Sequence, residues 1–112
     1  MAGAPRAYLV VRNGQFEGTR YPLGGEETLI GRNPTTDITL LDENVSREHA
    51  IIVCDEETGA YGFEDLQSTN GSKINGKRVR SAELNPGDCL EVGQTKFELI
   101  LEKPGNPPEN ST

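Results

Sequence analysis

The sequence has no tryptophan, a single histidine (His49), two cysteines and one methionine among 112 residues. A zinc or other transition-metal centre draws three or four clustered ligands from His, Cys and carboxylates, and one histidine with no Cys-x-x-Cys pair does not supply them. No metal and no cofactor are therefore expected. Hydrophobic residues make up only 33% of the chain, and no apolar run approaches the ~20 residues of a membrane-spanning helix. The segment Ala7-Tyr8-Leu9-Val10-Val11 is too short for a signal peptide and is closed by Arg12, which makes the cytoplasm the expected location. Positive charge is also scarce. With 11 Lys+Arg against 18 Asp+Glu the net charge is −7, whereas duplex DNA, RNA and anionic membranes demand a net basic face. Neither nucleic acid nor membrane is expected as a partner. A disulfide between Cys54 and Cys89 is arithmetically possible, but a reducing compartment favours free, largely buried thiols.

Glycine and proline are plentiful, at 13 and 7 residues, and they punctuate short β-rich runs. Ala7 to Arg12 ends at Asn13-Gly14; Thr19 to Leu23 ends at Gly24-Gly25; Thr28-Leu29-Ile30 runs into Gly31. Asp37 to Leu40 alternates polar and apolar, as a half-buried strand does, whereas Ala50 to Cys54 is a continuous apolar run expected to be buried on both faces. Asp55 to Gly59 reads as an acidic hairpin loop leading into Tyr61 to Leu66. Asn75-Gly76 is the strongest hairpin signal, linking Ser72-Lys73-Ile74 to Lys77-Arg78-Val79. After the turn Asn85 to Asp88 come Cys89 to Val92 and an alternating segment that sets Phe97, Leu99 and Leu101 on one face. No stretch carries a sustained 3.6-residue period. About ten short strands separated by turns predict an all-β sandwich. Residues 1–6 read as an N-terminal extension and 103–112 (KPGNPPENST), with three prolines, as a disordered tail or linker.

Two enzyme-like patterns fail on context. Ser46-Arg47-Glu48-His49 sets a serine three residues from the histidine along a loop, without the strand-to-helix elbow that presents a nucleophile. The stretch Gly71 to Arg78 resembles a P-loop but has arginine where the magnesium-binding hydroxyl belongs, and its second glycine lies in a hairpin turn rather than at a helix start. No catalytic residue is assigned. What remains are polar residues at strand ends, where a rigid sandwich presents binding groups: Gly31-Arg32, Ser46 to His49, and Ser68-Thr69-Asn70-Gly71. Two arginines, two hydroxyls and an amide, brought together, suit a phosphate dianion.

The order Gly31-Arg32, Ser46-x-x-His49, Asn70-Gly71 at these spacings resembles the forkhead-associated (FHA) domain, over roughly Ala7 to Glu102. The resemblance implies a β-sandwich of about eleven strands, in antiparallel or mixed sheets, whose loops at one end bind phosphothreonine peptides. It further implies that Arg32 and Ser46 contact the phosphate, that Arg47 adds a donor, that Thr69 adds a hydroxyl or backbone contact, and that Asn70 holds the peptide main chain. Asn44 and Ser68 are the expected specificity positions, and Gly31, His49 and Gly71 the architectural ones. The implied partner is a phosphothreonine-containing protein, a substrate of a Ser/Thr kinase, bound by a monomeric domain of a larger regulatory protein. The other reading is a phospho-independent scaffold or self-association module. Short loops and the lack of a nuclear signal suit a bacterial protein. The run Lys73, Lys77, Arg78, Arg80 is either a solvated hairpin face or a source of long-range attraction for an acidic peptide.

Overall fold

In a computed structural model of the chain, residues 6–102 are described apart from Gly25 and Glu56. The expected tail 103–112, and the expected extension except Arg6, lie outside the described residues. Every regular element among the described residues is a strand: β1 (Arg6–Val11), β2 (Arg20–Pro22), β3 (Glu27–Gly31), β4 (Ile38–Thr39), β5 (Ala50–Cys54), β6 (Tyr61–Asp65), β7 (Ser72–Ile74), β8 (Lys77–Val79), β9 (Ser81–Leu84), β10 (Cys89–Val92) and β11 (Thr95–Glu102). They form a six-stranded sheet, β2-β1-β11-β10-β7-β8, and a five-stranded sheet, β4-β3-β5-β6-β9. All pairings are antiparallel except β3 with β4, so the second sheet is mixed.

The period-two pattern decides which side chains enter the core. Ala7, Leu9, Val11, Ile74, Leu90, Val92, Phe97 and Leu99 come from the first sheet and meet Ile30, Ile38, Ala50, Ile52, Tyr61, Phe63 and Leu84 from the second. Tyr21 packs edge-on against Phe97, with ring centroids 6.2 Å apart. Asn75 and Gly76 take φ of 53° and 85°, the left-handed pair that a two-residue turn between β7 and β8 requires.

Two expectations need correction. β5 is not buried on both faces: Ala50 and Ile52 point into the core, while Val53 is 40% exposed and Ile51 and Cys54 are half-buried. A sandwich of two sheets covers only the inner face of each, so an apolar sequence run does not guarantee two-sided burial. The thiols of Cys54 and Cys89 are free but half-buried rather than largely buried. A strand that the sequence reading does not name, β9, pairs with β6 and alternates as a half-buried strand does, with Ala82 and Leu84 turned to the core and Ser81 and Glu83 exposed.

Candidate functional site

Three loops at one end of the sandwich are joined by their own hydrogen bonds: β3–β4 (residues 32–37), β4–β5 (40–49) and β6–β7 (66–71). The first junction depends on Gly31. A Cβ there would collide with the Arg47 carbonyl oxygen and sit 2.8 Å from its carbon and 3.1 Å from Glu48 Cα. This close passage lets Arg32 N–H donate to Ser46 O (3.0 Å) and Asn33 N–H to Arg47 O (3.2 Å). The β3–β4 loop folds around Thr36, whose buried hydroxyl lies 2.7 Å from Asn33 O, with Gly31 O and Ile38 O at 3.3 and 3.2 Å.

His49 makes the second junction. Its ring is fully buried, and Nδ1 accepts the Ser46 N–H at 3.0 Å. An accepting Nδ1 leaves the ring proton on Nε2, which donates to Gly71 O at 2.9 Å. One imidazole thus ties the β4–β5 loop to the β6–β7 loop. Beneath it, Asp65 accepts Ser68 N–H (2.8 Å), Ser68 Oγ–H (2.7 Å) and Ser72 Oγ–H (2.6 Å). Burial pushes the Asp65 carboxyl up, but these donors together outweigh it and hold the group below its usual value.

Asp42 makes the third junction by accepting the N–H groups of Asn44 and Gln94, each at 2.9 Å, so the β4–β5 loop is fixed to the β10–β11 turn. The Asn44 bond is the main cause of a carboxyl pKa below the usual aspartate value.

On this frame the groups expected to meet a ligand are placed as follows. Arg32 is exposed, and its Nε donates to Val45 O at 3.0 Å, which leaves the terminal nitrogens of the guanidinium for a ligand. Ser46 Oγ accepts the Thr69 N–H at 3.1 Å, so its own proton is available to donate. Asn70 Nδ2 donates to Asn44 O at 2.9 Å; the carbonyl can only accept, so the amide orientation is set and Oδ1 is left to accept from a ligand. Asn44 and Arg47 are exposed, and among the described residues Arg47 has no ion pair with Glu43 or Glu48. Ser68 is different. Its hydroxyl donates to Asp65 and accepts Gly71 N–H at 2.9 Å, which commits it to the loop rather than to a ligand.

Residues 28–93 match the FHA domain family. The chain belongs to the FHA family. It is 40% identical over 95 residues to the glycogen accumulation regulator GarA of Mycolicibacterium smegmatis, covering 85% of this chain and 58% of GarA. The oxoglutarate dehydrogenase inhibitor of Corynebacterium efficiens is 38% identical over 98 residues, covering 88% of this chain and 66% of that protein. The chain therefore spans about three-fifths of the length of these regulators and about a fifth of the curated EmbR proteins it also matches. Among solved structures, Mycobacterium tuberculosis EmbR in complex with a low-affinity phosphopeptide superimposes with a TM-score of 0.78 at 34% identity, over 91% of this chain and 26% of EmbR. An FHA domain studied for phosphothreonine-dependent interactions gives 0.76 at 29% identity, over 85% of this chain and 95% of that one. The expected all-β FHA sandwich is thus borne out, and these curated relatives are bacterial, in line with the expected bacterial protein. Among the described residues no cluster of three His, Cys, Asp or Glu side chains could hold a metal, and no helix is long and apolar enough to cross a membrane.

Reading the sequence missed Thr36, Asp42, Asp65 and Arg78 as parts of this end of the molecule. The Asn33-Pro34-Thr35-Thr36 turn signature could have drawn attention to Thr36. The sequence places Arg78 only in a basic run and in the rejected P-loop-like stretch. Its guanidinium in fact lies over Gly71, where a Cβ would come within 2.5 Å of Nε. Gly71 also has φ of +80°, so both its backbone conformation and its neighbour call for glycine.

Proposed function

We propose that this chain is a phosphothreonine-peptide recognition domain, comprising residues 7–102 and working within a larger regulatory protein in cytoplasmic Ser/Thr kinase signalling. The observation that carries the reading is the pairing of Ser46 and Arg32. The Ser46 oxygen is already occupied as an acceptor by Thr69 N–H, which leaves its proton to donate, and the neighbouring Arg32 is anchored through Nε with its terminal nitrogens free. A phosphate has only acceptors to offer, and this pair presents only donors. Arg47 and the Thr69 hydroxyl add further donors, and Asn70 Oδ1 accepts a main-chain N–H of the peptide. Gly31, His49 and Gly71 hold the three loops in register. Asn44 faces the residues that follow the phosphothreonine. The groups placed to meet the phosphate, Arg32, Ser46, Arg47 and Thr69, all donate hydrogen bonds, which supports binding of an anion. The partner is a phosphorylated Ser/Thr kinase substrate, bound by a monomer.

A few charge-assisted hydrogen bonds of about 1.5–3 kcal/mol each, less the cost of ordering a flexible peptide, correspond to micromolar-scale affinity. Fluorescence-polarisation titrations against degenerate phosphothreonine, phosphoserine and unphosphorylated peptide pools test the reading. Saturation by the phosphothreonine pool supports it. Equal or absent binding across the three pools overturns it in favour of a phospho-independent scaffold.

A further inference from the structure

A groove of about 660 Å³ runs between the β1–β2 loop and the β4–β5 loop, beside the candidate phosphate site. Two large apolar side chains from these separate loops line it while remaining open to solvent, Phe16 at 65% exposure and Leu41 at 88%. One exposed leucine means little, but two such residues converging on one hollow mark a place where something docks. Both walls are fixed to the same base. On one side Asn13 Nδ2 donates to Gln94 O (3.0 Å) and Asn13 Oδ1 accepts Lys96 N–H (2.9 Å). On the other, Asp42 accepts Gln94 N–H and Asn44 N–H. The groove is therefore formed before anything enters it, which lowers the ordering cost of binding.

We propose that this groove takes a large apolar side chain, with Lys or Arg beside it, from the same partner segment that carries the phosphothreonine. The proposal rests on the phosphopeptide reading above. Two observations choose this occupant. The groove is continuous with the phosphate site: Asn44 lines both the groove and a smaller hollow that contains Asn70 and Gly71, and Asn70 is hydrogen-bonded to Asn44. A chain leaving the phosphate past Asn70 therefore enters the groove over Asn44. The charges also change sign along that path. The charged residues lining the groove are Asp42 and Glu43, both acidic, whereas the phosphate end carries Arg32 and Arg47. A segment with phosphate at one end and a basic-apolar pair at the other matches both ends.

The test compares the full chain with its Phe16→Ser/Leu41→Ser double variant, whose substituted side chains are exposed and do not hold the fold. Each is titrated with a short degenerate phosphothreonine pool, which reaches only the phosphate site, and a long one with extended flanks, whose bound fraction is then sequenced. In the wild type the long pool binds about tenfold more tightly than the short one, with a large apolar residue and Lys or Arg enriched at a fixed distance from the phosphothreonine. The double variant loses the gain and the enrichment but keeps its affinity for the short pool. Binding of the short pool with no extra gain from the long one, or the same gain in the variant, overturns the groove proposal and leaves the phosphate reading standing. No phosphothreonine-dependent binding by either pool overturns both. Sedimentation of the free proteins covers the rival occupant: a concentration-dependent dimer abolished by the double variant would assign the groove to a second copy of the chain and overturn the proposal.

Discussion

Replacing His49 with alanine removes the one ring that joins the β4–β5 and β6–β7 loops. The change deletes a fully buried side chain and strands two backbone groups, the Ser46 N–H and the Gly71 carbonyl. A buried polar group left without a partner costs about 1–3 kcal/mol. The vacated space is walled by polar groups, so water entering it will recover part of that cost. A net loss of about 2–4 kcal/mol follows for the two groups together. For a domain of this size each kcal/mol lowers Tm by about 4–8 °C, so the variant should melt about 10–30 °C below the wild type. Differential scanning calorimetry is the suitable assay, because the chain has no tryptophan to report unfolding. Phosphopeptide affinity, measured well below the variant's own melting point, should fall at the same time because Ser46 and Asn70 lose their fixed separation. A variant that binds weakly but melts like the wild type would refute the bracing role and put the ring in direct contact with ligand. Unchanged affinity with a lowered Tm would show that the loops keep their register without it.

Gly31→Ala drives a Cβ into the Arg47 backbone, which no rotamer change relieves; a loss of about 1–3 kcal/mol is expected in denaturant titration, together with weakened phosphopeptide binding. Wild-type stability on either side disproves the close approach. Binding and folding should also separate in pH. Affinity falls below about pH 6 as the phosphate loses its second charge, followed by polarisation titration across that range, and a flat profile argues against dianion recognition. Two carboxylates of the loop frame lose their contribution to stability in more acid solution. Asp42 and Asp65 have depressed folded pKa values, so their stabilisation is full above the ordinary aspartate value of about 3.9 and is lost as pH falls through the lower folded values. The Tm of Asp65→Asn should therefore depend less on pH over that interval than that of the wild type. Phosphothreonine should exceed phosphoserine by roughly fourfold if one buried methyl of about 0.8 kcal/mol is the whole difference; a much larger ratio in matched peptides requires a steric restraint on the side chain.

Much of the fold was legible because turn chemistry and period-two patterning are local. The Asn75-Gly76 turn, the strands on either side of it and the run Ala50 to Cys54 fall where the sequence puts them. The order of Arg32, Ser46, His49 and Asn70 was equally local, and it was enough to indicate the family. What stayed hidden depends on residues distant in sequence. Asp42 bonds Gln94, 52 positions away, and Thr69 bonds Ser46, 23 positions away. Nothing in the neighbourhood of Ser68 distinguishes a hydroxyl that meets ligand from one turned toward Asp65. Ser81 to Leu84 is a strand because β6 offers it an edge, and Val53 is exposed because no third layer covers the outer face of its sheet.

The central claim is that the donors of Arg32 and Ser46, at one end of the sandwich, bind phosphate. Titrating a fluorescent phosphothreonine pool against the wild type and Arg32→Ala, with a calorimetric melt of each, tests it most directly. Removing charge-assisted bonds of about 1.5–3 kcal/mol each should abolish measurable binding. The fold should lose only the bond from Nε to Val45 O, worth about 1 kcal/mol. Saturable binding by the wild type, no binding by Arg32→Ala and a Tm lowered by only a few degrees is the predicted result. Equal affinity of the two proteins for the phosphothreonine pool would contradict it.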